Sequence, residues 1–189
     1  MHRDVQEAKL LEHIKNQDYI QIERKDSAEL CTCIPLAISE HFLMVVRFYD
    51  FDPYGYEVFP LNSITDICHS DTDIYFGYIV RKEGALTWIK DAPNIDLHSW
   101  KSIFSFFMPS GENITVDVGR EGCINIGRIM GASDTSLHMR CFSPTGVWDD
   151  EDWIELYKNI TGIQFRNSYI RIFTKYLPPL HDKRTALLS

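Results

Sequence analysis

The short stretch ITDI at 64–67 occurs again as ITGI at 160–163, and the sequence around each copy follows the same order. A Pro-x-Gly turn precedes each copy, at 53–55 and at 144–146. Further aligned positions are Ile20 with Ile114, Ile22 with Val116, Cys31 with Cys123, and Tyr75 with Tyr169. This shared order predicts that the chain contains two copies of one structural unit.

Each copy is preceded by a segment with helical periodicity. Apolar residues recur at Val5, Ala8, Leu11 and Ile14 in the first segment, and at Leu97, Trp100, Ile103 or Phe104, and Phe107 in the second. Such spacing places the side chains on one face of a helix. Asp4 and Asp96 are the predicted N-caps. Between the halves, Gly84 and Pro93 predict a linker across 82–95.

The rest of each half predicts five short antiparallel strands separated by polar turns. They are 19–24, 29–38, 42–50, 56–62 and 73–80 in the first half, and 113–118, 122–130, 135–142, 152–157 and 167–174 in the second. Five short strands favour a small closed barrel, because closure removes exposed sheet edges. The Ile-Thr-x-Ile stretch is then the bend between the fourth and fifth strands.

This order of one helix and five bent strands resembles the Sm-like barrel, and an SH3-like barrel describes it nearly as well. The Sm family contacts RNA through an Asp-x-x-Met-Asn-type loop and an Arg-Gly step. Neither is present: ISEHFLMVVRFYD at 38–50 and ASDTSLHMRCFS at 132–143 stand where the loop would fall. The family's nucleotide-binding role is therefore not transferred to any residue.

The predicted fold class is α+β, with two tandem repeats that each consist of an N-terminal helix and a five-stranded antiparallel barrel. The predicted units are 1–90 and 91–178, and 179–189 is a tail. Because no transmembrane run or apolar signal core stands out, a cytoplasmic location is the expectation.

Composition limits the classes of function. The 189 residues carry a net charge of −8, which disfavours broad contact with nucleic-acid phosphates. The residues from 1 to 94 contain 9 Lys and Arg against 16 Asp and Glu, a net charge of −7, and those from 95 to 189 contain 10 against 11, a net charge of −1. A basic partner would therefore be attracted mainly to the first half.

No motif predicts catalysis, a metal or a cofactor. The five cysteines have irregular spacing and are expected to be free thiols, and the seven histidines lack an HExxH-type pattern. His138 lies near Cys141 on one predicted strand, but neighbours in sequence are no evidence for a catalytic triad. We therefore predict no catalytic residue, no metal ligand and no cofactor.

Two predicted hairpin turns combine acidic and aromatic side chains, in DFDPYGYEVF at 50–59 and GVWDDEDWIEL at 146–156. Neither fits a calcium loop or a glycosidase carboxylate pair. A solvated hairpin tip is one interpretation, and a docking surface for a basic partner is the other. The predicted partner-binding residues are Asp50, Asp52, Tyr54, Tyr56, Glu57, Trp148, Asp149, Asp150, Glu151, Asp152 and Trp153.

The acidic, aromatic-rich character resembles bacterial immunity proteins of contact-dependent growth inhibition and related polymorphic toxin systems. That resemblance implies a non-catalytic inhibitor whose partner is a protein toxin domain, in many cases a nuclease, with neither membrane nor nucleic acid involved. The alternative is an Sm-like nucleic-acid module, since basic residues lie among aromatic ones near the end of the chain. Those basic residues are Arg166, Arg171, Lys175, Lys183 and Arg184. A scaffold subunit or an effector chaperone is a third candidate.

Overall fold

The computed structural model describes residues 3–119 and 123–180, in which five helices accompany one sheet of ten antiparallel strands. The first half contains α1 (Arg3–Asn16), β1 (Ile20–Arg24), β2 (Cys31–Ile38), β3 (Phe42–Tyr49), β4 (Asp52–Pro60), β5 (Ile64–Cys68), α2 (Asp71–Lys82) and α3 (Leu86–Lys90). The second half contains α4 (Trp100–Phe107), β6 (Asn113–Val118), β7 (Cys123–Ala132), β8 (Ser136–Cys141), β9 (Trp153–Leu156), β10 (Ile160–Phe165) and α5 (Ser168–Tyr176). The predicted α+β class is therefore confirmed.

The sheet is open, in the order β5-β1-β2-β3-β4-β10-β6-β7-β8-β9. Each half contributes five consecutive strands, and the halves join where β4 pairs with β10, with Val58 opposite Ile163 and Tyr56 opposite Phe165. The closed five-stranded barrel predicted for each half is not confirmed, because β4 continues the sheet into the other half. The boundaries at 90 and 178 stay predictions, and residues 181–189 of the predicted tail lie outside the described residues.

The fifth strand predicted in each half is wrong. The segment 73–80 belongs to α2 and 167–174 to α5, and the Ile-Thr-x-Ile stretches begin β5 and β10 instead of forming bends. A capping box at Ser70 begins α2, because the Ser70 hydroxyl accepts from the Asp73 backbone while the Asp73 carboxylate accepts from the Ser70 backbone. The Asn167 side chain caps α5 in a similar way.

The predicted starts of the other two helices also need correction. Asp4 lies inside α1, and α4 is capped by Ser99 instead of Asp96. The Asp96 carboxylate accepts from the backbone N–H of His98, three positions too early to cap the helix. The predicted linker is partly helical, since α3 forms between Gly84 and Pro93.

Two apolar clusters hold the sheet, and β3 contributes to both. Met44 and Val46 belong to the larger cluster, whereas Leu43 and Val45 belong to the smaller one, which also includes Leu10 of α1. Alternate side chains of a strand point to opposite faces, so β3 is covered on both sides. The larger cluster contains residues of both halves, including Phe104 and Phe107 of α4 and Ile34 of β2. The halves thus share a core.

Candidate partner-binding surface

The second acidic turn connects β8 to β9 and is fixed by backbone hydrogen bonds. Gly146 donates to the Ser143 carbonyl at 2.9 Å and has a φ of 77°, a conformation that favours glycine. The Asp149 N–H donates to the Cys141 carbonyl at 2.9 Å. The side chains of Asp149, Asp150 and Glu151 are exposed at this turn. Three consecutive acids are therefore presented on one ordered segment.

Asp152, Trp153 and Trp148 have contacts within the chain. The Asp152 carboxylate accepts from Arg140 Nε at 2.8 Å, and Trp153 is half-buried against the larger cluster. The Trp148 indole donates to the Pro178 carbonyl at 2.9 Å and meets the Phe142 ring edge-on at 5.3 Å. These three side chains support the turn, and the half-buried Trp148 and Asp152 stand directly before and after the exposed acids in the chain.

The first turn, between β3 and β4, exposes Asp50 and Asp52. Asp50 adopts a φ of 50°, and its carbonyl accepts from the buried Tyr19 hydroxyl at 2.8 Å. The Tyr54 ring packs edge-on against Tyr49 at 4.6 Å. Burial and the neighbouring Tyr49 raise the pKa of Tyr54. The predicted surface assignment of Asp50, Asp52 and Tyr54 is compatible with their positions.

Tyr56 and Glu57 do not lie on this surface. Only 3% of Tyr56 and 1% of Glu57 are exposed. The Tyr56 hydroxyl donates to the Trp88 carbonyl at 2.8 Å, and its ring stacks on Phe165 at 5.3 Å. Because the middle of β4 is covered on both faces, neither side chain is free to contact a partner. Their assignment as partner-binding residues is corrected accordingly.

Glu57 instead holds together a buried ion cluster at the junction of the halves. Its carboxylate accepts from Arg24 Nη1 at 2.6 Å and lies 3.2 Å from Arg47 Nη1. Arg24 also donates to the Thr161 carbonyl of β10 at 2.7 Å. Burial, reinforced by Glu57, raises the pKa of the nearby Asp117 carboxyl to about 7, and Asp117 Oδ1 is buried without a hydrogen-bond partner.

Helix α5 links the two turns and was missed because its segment was predicted as a strand. Its apolar residues Tyr169, Ile172, Phe173 and Tyr176 follow helical spacing, yet only Ile170 of this helix is buried. We call Tyr49, Tyr54, Tyr169, Phe173 and Trp148 the aromatic stripe. Tyr169 contacts Phe173 at 4.7 Å, and the Phe173 ring stacks at 5.6 Å on Phe142, which in turn meets Trp148.

Close packing positions α5 beside the first turn. A Cβ atom built at Gly55 would lie 2.8 Å from the Asn167 Cα, so only glycine permits this approach. Tyr169 of the helix also contributes to the raised pKa of Tyr54. The aromatic stripe therefore runs from the first acidic turn to the second, although β10, β6 and β7 separate the hairpins in the sheet.

The Cys141 thiol lacks the features of a nucleophile. Cys31, Cys33, Cys68 and Cys141 are free, as expected. Burial, with Asp149 and Asp152 nearby, raises the pKa of Cys141 to about 12, so its thiol stays protonated at neutral pH. His138 and Cys141 lie on opposite faces of β8, given the alternating burial of that strand.

Comparison of the chain with protein-family models, with curated proteins and with solved structures found no match. None of the described helices is long and apolar enough to cross a membrane.

Proposed function

We propose that this chain is a non-catalytic binding protein that inhibits a basic protein domain, acting in the cytoplasm as an immunity protein against a nuclease toxin. The observation that carries the proposal is the exposed run Asp149, Asp150 and Glu151 directly beside the aromatic stripe. A solvated turn alone would not require a stripe of half-buried and exposed aromatic side chains beside it. Large exposed aromatic patches are typical of interaction sites.

The two parts of the surface have different roles in binding. Exposed carboxylates accelerate encounter with a positively charged partner, whereas aromatic side chains supply the buried contacts that slow dissociation. A nuclease active site is basic because it binds phosphate, so the acids of the second turn would occupy the place of a phosphate backbone. Asp50 and Asp52 extend the negative charge to the other end of the stripe.

The test is reversal of charge at the second turn, with a basic nuclease domain captured by pull-down and identified by mass spectrometry as the partner. Asp149→Lys combined with Glu151→Lys is expected to lower the association rate roughly tenfold or more at low salt. The difference should shrink as salt rises, because salt screens exposed charges. Stopped-flow or surface-plasmon-resonance kinetics across a salt series measure both effects.

A matched control carries the same charge change at a distant site. Glu23 and Asp66 are exposed and lie opposite each other on β1 and β5. Glu23→Lys combined with Asp66→Lys should leave most of the association rate intact. Equal slowing by the two double variants would show that only total charge matters, and an unchanged rate in the turn variant would remove the turn from the binding surface.

We also propose that the two halves are two tandem small-barrel units. Its support is the repeated connectivity, since each half has a helix, four strands, a 3-10 turn and a fifth strand that pairs beside the first. Pairing between β4 and β10 would then be the contact between two copies of one unit.

The second candidate function, a nucleic-acid module, has one observation in its favour. Helix α5 exposes Arg171 and Lys175 as well as Tyr169 and Tyr176, a combination that can contact phosphates and stack bases. A filter-binding titration with single-stranded RNA across salt tests it. The inhibitor proposal expects no binding at physiological salt, whereas tight binding with a steep salt dependence would favour this alternative.

A further inference from the structure

A second polar site lies on the first half, where the end of α1 meets the connection between β5 and α2. His13, Asp18 and His69 each direct one ligand atom to this place, and these atoms lie within 4.8 Å of one another. The rings of His13 and His69 meet edge-on, with centroids 5.0 Å apart. Two imidazoles and a carboxylate are the donor set of many zinc sites.

The local backbone explains why Asp18 reaches His13. Gln17 has a φ of 55° and reverses the chain after α1, and the Asp18 N–H donates to the His13 carbonyl at 3.0 Å. The turn places Asp18 Oδ2 3.0 Å from His13 Nδ1. Arg81 holds the turn in place by donating to the Gln17 carbonyl at 2.6 Å.

An unpartnered ring nitrogen of His13 is a second observation, independent of the distances between the three side chains. His13 is only 6% exposed, and its Nε2 atom is buried with no hydrogen-bond partner. A histidine kept only for packing would have both ring nitrogens paired, because an unpaired buried polar atom costs free energy. Contacts within the protein therefore satisfy only one of the two ring nitrogens of His13.

We propose that His13, Asp18 and His69 bind one zinc ion, with a fourth coordination position left to water or another ligand. Zinc ligand atoms in tetrahedral sites lie about 3.3 Å apart, so ligand atoms that now lie within 4.8 Å of one another need to approach by about 1.5 Å at most. The nearby cations do not occupy this position. Lys9 Nζ donates to the Ile67 carbonyl at 2.5 Å, and Arg81 Nη2 remains 4.0 Å from Asp18 Oδ1.

Zinc at this site would link α1 to the segment that begins α2. The ion replaces any proton on the coordinating nitrogen atoms, so binding weakens as the pH falls. Because only the folded chain assembles the three ligands, zinc should also raise the melting temperature. This role is independent of the acidic turns and of the proposed inhibitor function.

The test is zinc titration by calorimetry into the full chain after treatment with a chelator. We expect one ion per chain, and Co²⁺ in its place should give the visible absorption of a tetrahedral site. His69 is half-buried in a connection, so His69→Asn should fold normally while lowering zinc affinity roughly tenfold or more. The zinc-dependent rise in melting temperature should disappear with it.

His41→Asn is the matched control, because His41 is exposed and belongs to a different turn. It should bind zinc as the wild type does. Absence of zinc binding to the wild-type chain would overturn the assignment. So would a His69→Asn variant with wild-type affinity and stoichiometry.

Discussion

Replacing Glu57 by glutamine is expected to lower the free energy of unfolding by about 3–5 kcal/mol, the usual result of removing one partner from a buried ion pair. Glu57 lies between Arg24 and Arg47, and all three side chains are buried. Glutamine preserves the shape but not the charge, so the two arginines would lose the buried carboxylate that they share. Among the described residues, Arg24 would then keep Asp26 as an ion-pair partner, and Arg47 would keep the exposed Glu29. Urea unfolding at pH 7, followed by tryptophan fluorescence, measures the difference.

Glu29→Gln is a control, because Glu29 also pairs with Arg47. Glu29 Oε2 lies 3.4 Å from Arg47 Nη2, but the Glu29 side chain is 70% exposed. Exposed ion pairs contribute less than about 1 kcal/mol, because water solvates the charges in both states. If the two variants lost the same stability, or if Glu57→Gln lost less than Glu29→Gln, the buried cluster would not stabilise the junction as inferred.

Periodicity predicted most of the sheet but not its last strands. The first four predicted strands of each half overlap observed strands, because alternating burial leaves a visible pattern over several residues. The Ile-Thr-x-Ile stretches are too short to show such alternation and were interpreted as bends. The capping pair Ser70 and Asp73 was a usable signal for α2, and the helical spacing of Tyr169, Phe173 and Tyr176 was a usable signal for α5.

The surface was partly predictable for a related reason. Consecutive acids such as Asp149 to Glu151 cannot all be buried without partners, so their exposure follows from the sequence. Glu57 also belongs to a predicted acidic turn, yet it is buried, because Arg24 and Arg47 from other strands pair with its carboxylate. His13 and His69 also come together only through the fold. Contacts between such distant segments depend on strand register, which local patterns do not contain.

Replacing Asp117 by asparagine is expected to stabilise the protein at pH 7 and above and to change little below pH 4. Burial and Glu57 raise the pKa of this carboxyl from its usual 3.8 to about 7. The folded state then keeps its proton in a range where the unfolded chain has lost it. The contribution of Asp117 to the free energy of unfolding is therefore fully present below pH 4. It is lost as the pH rises towards and through 7, by an amount on the order of 2–4 kcal/mol.

Asparagine does not ionise, so the free energy of unfolding of the variant should not fall in this way as the pH rises. Urea unfolding at pH 4, 5, 6, 7 and 8 measures it, and Asp66→Asn, at an exposed site, controls for the removal of one charge. A wild-type decline that persists in Asp117→Asn would show that another group causes it.

The two substitutions should not be additive, because Asp117 and Glu57 compete for the same arginines. Glu57 raises the pKa of Asp117, whereas Arg24 and Arg47 lower it. In the Glu57→Gln background the repulsion from Glu57 is gone while the attraction of both guanidinium groups remains, so the ionised form of Asp117 is favoured. Asp117→Asn should then be destabilising at pH 8, although it is stabilising in the wild type. A double-mutant cycle detects this change of sign, and additive effects would contradict the coupling.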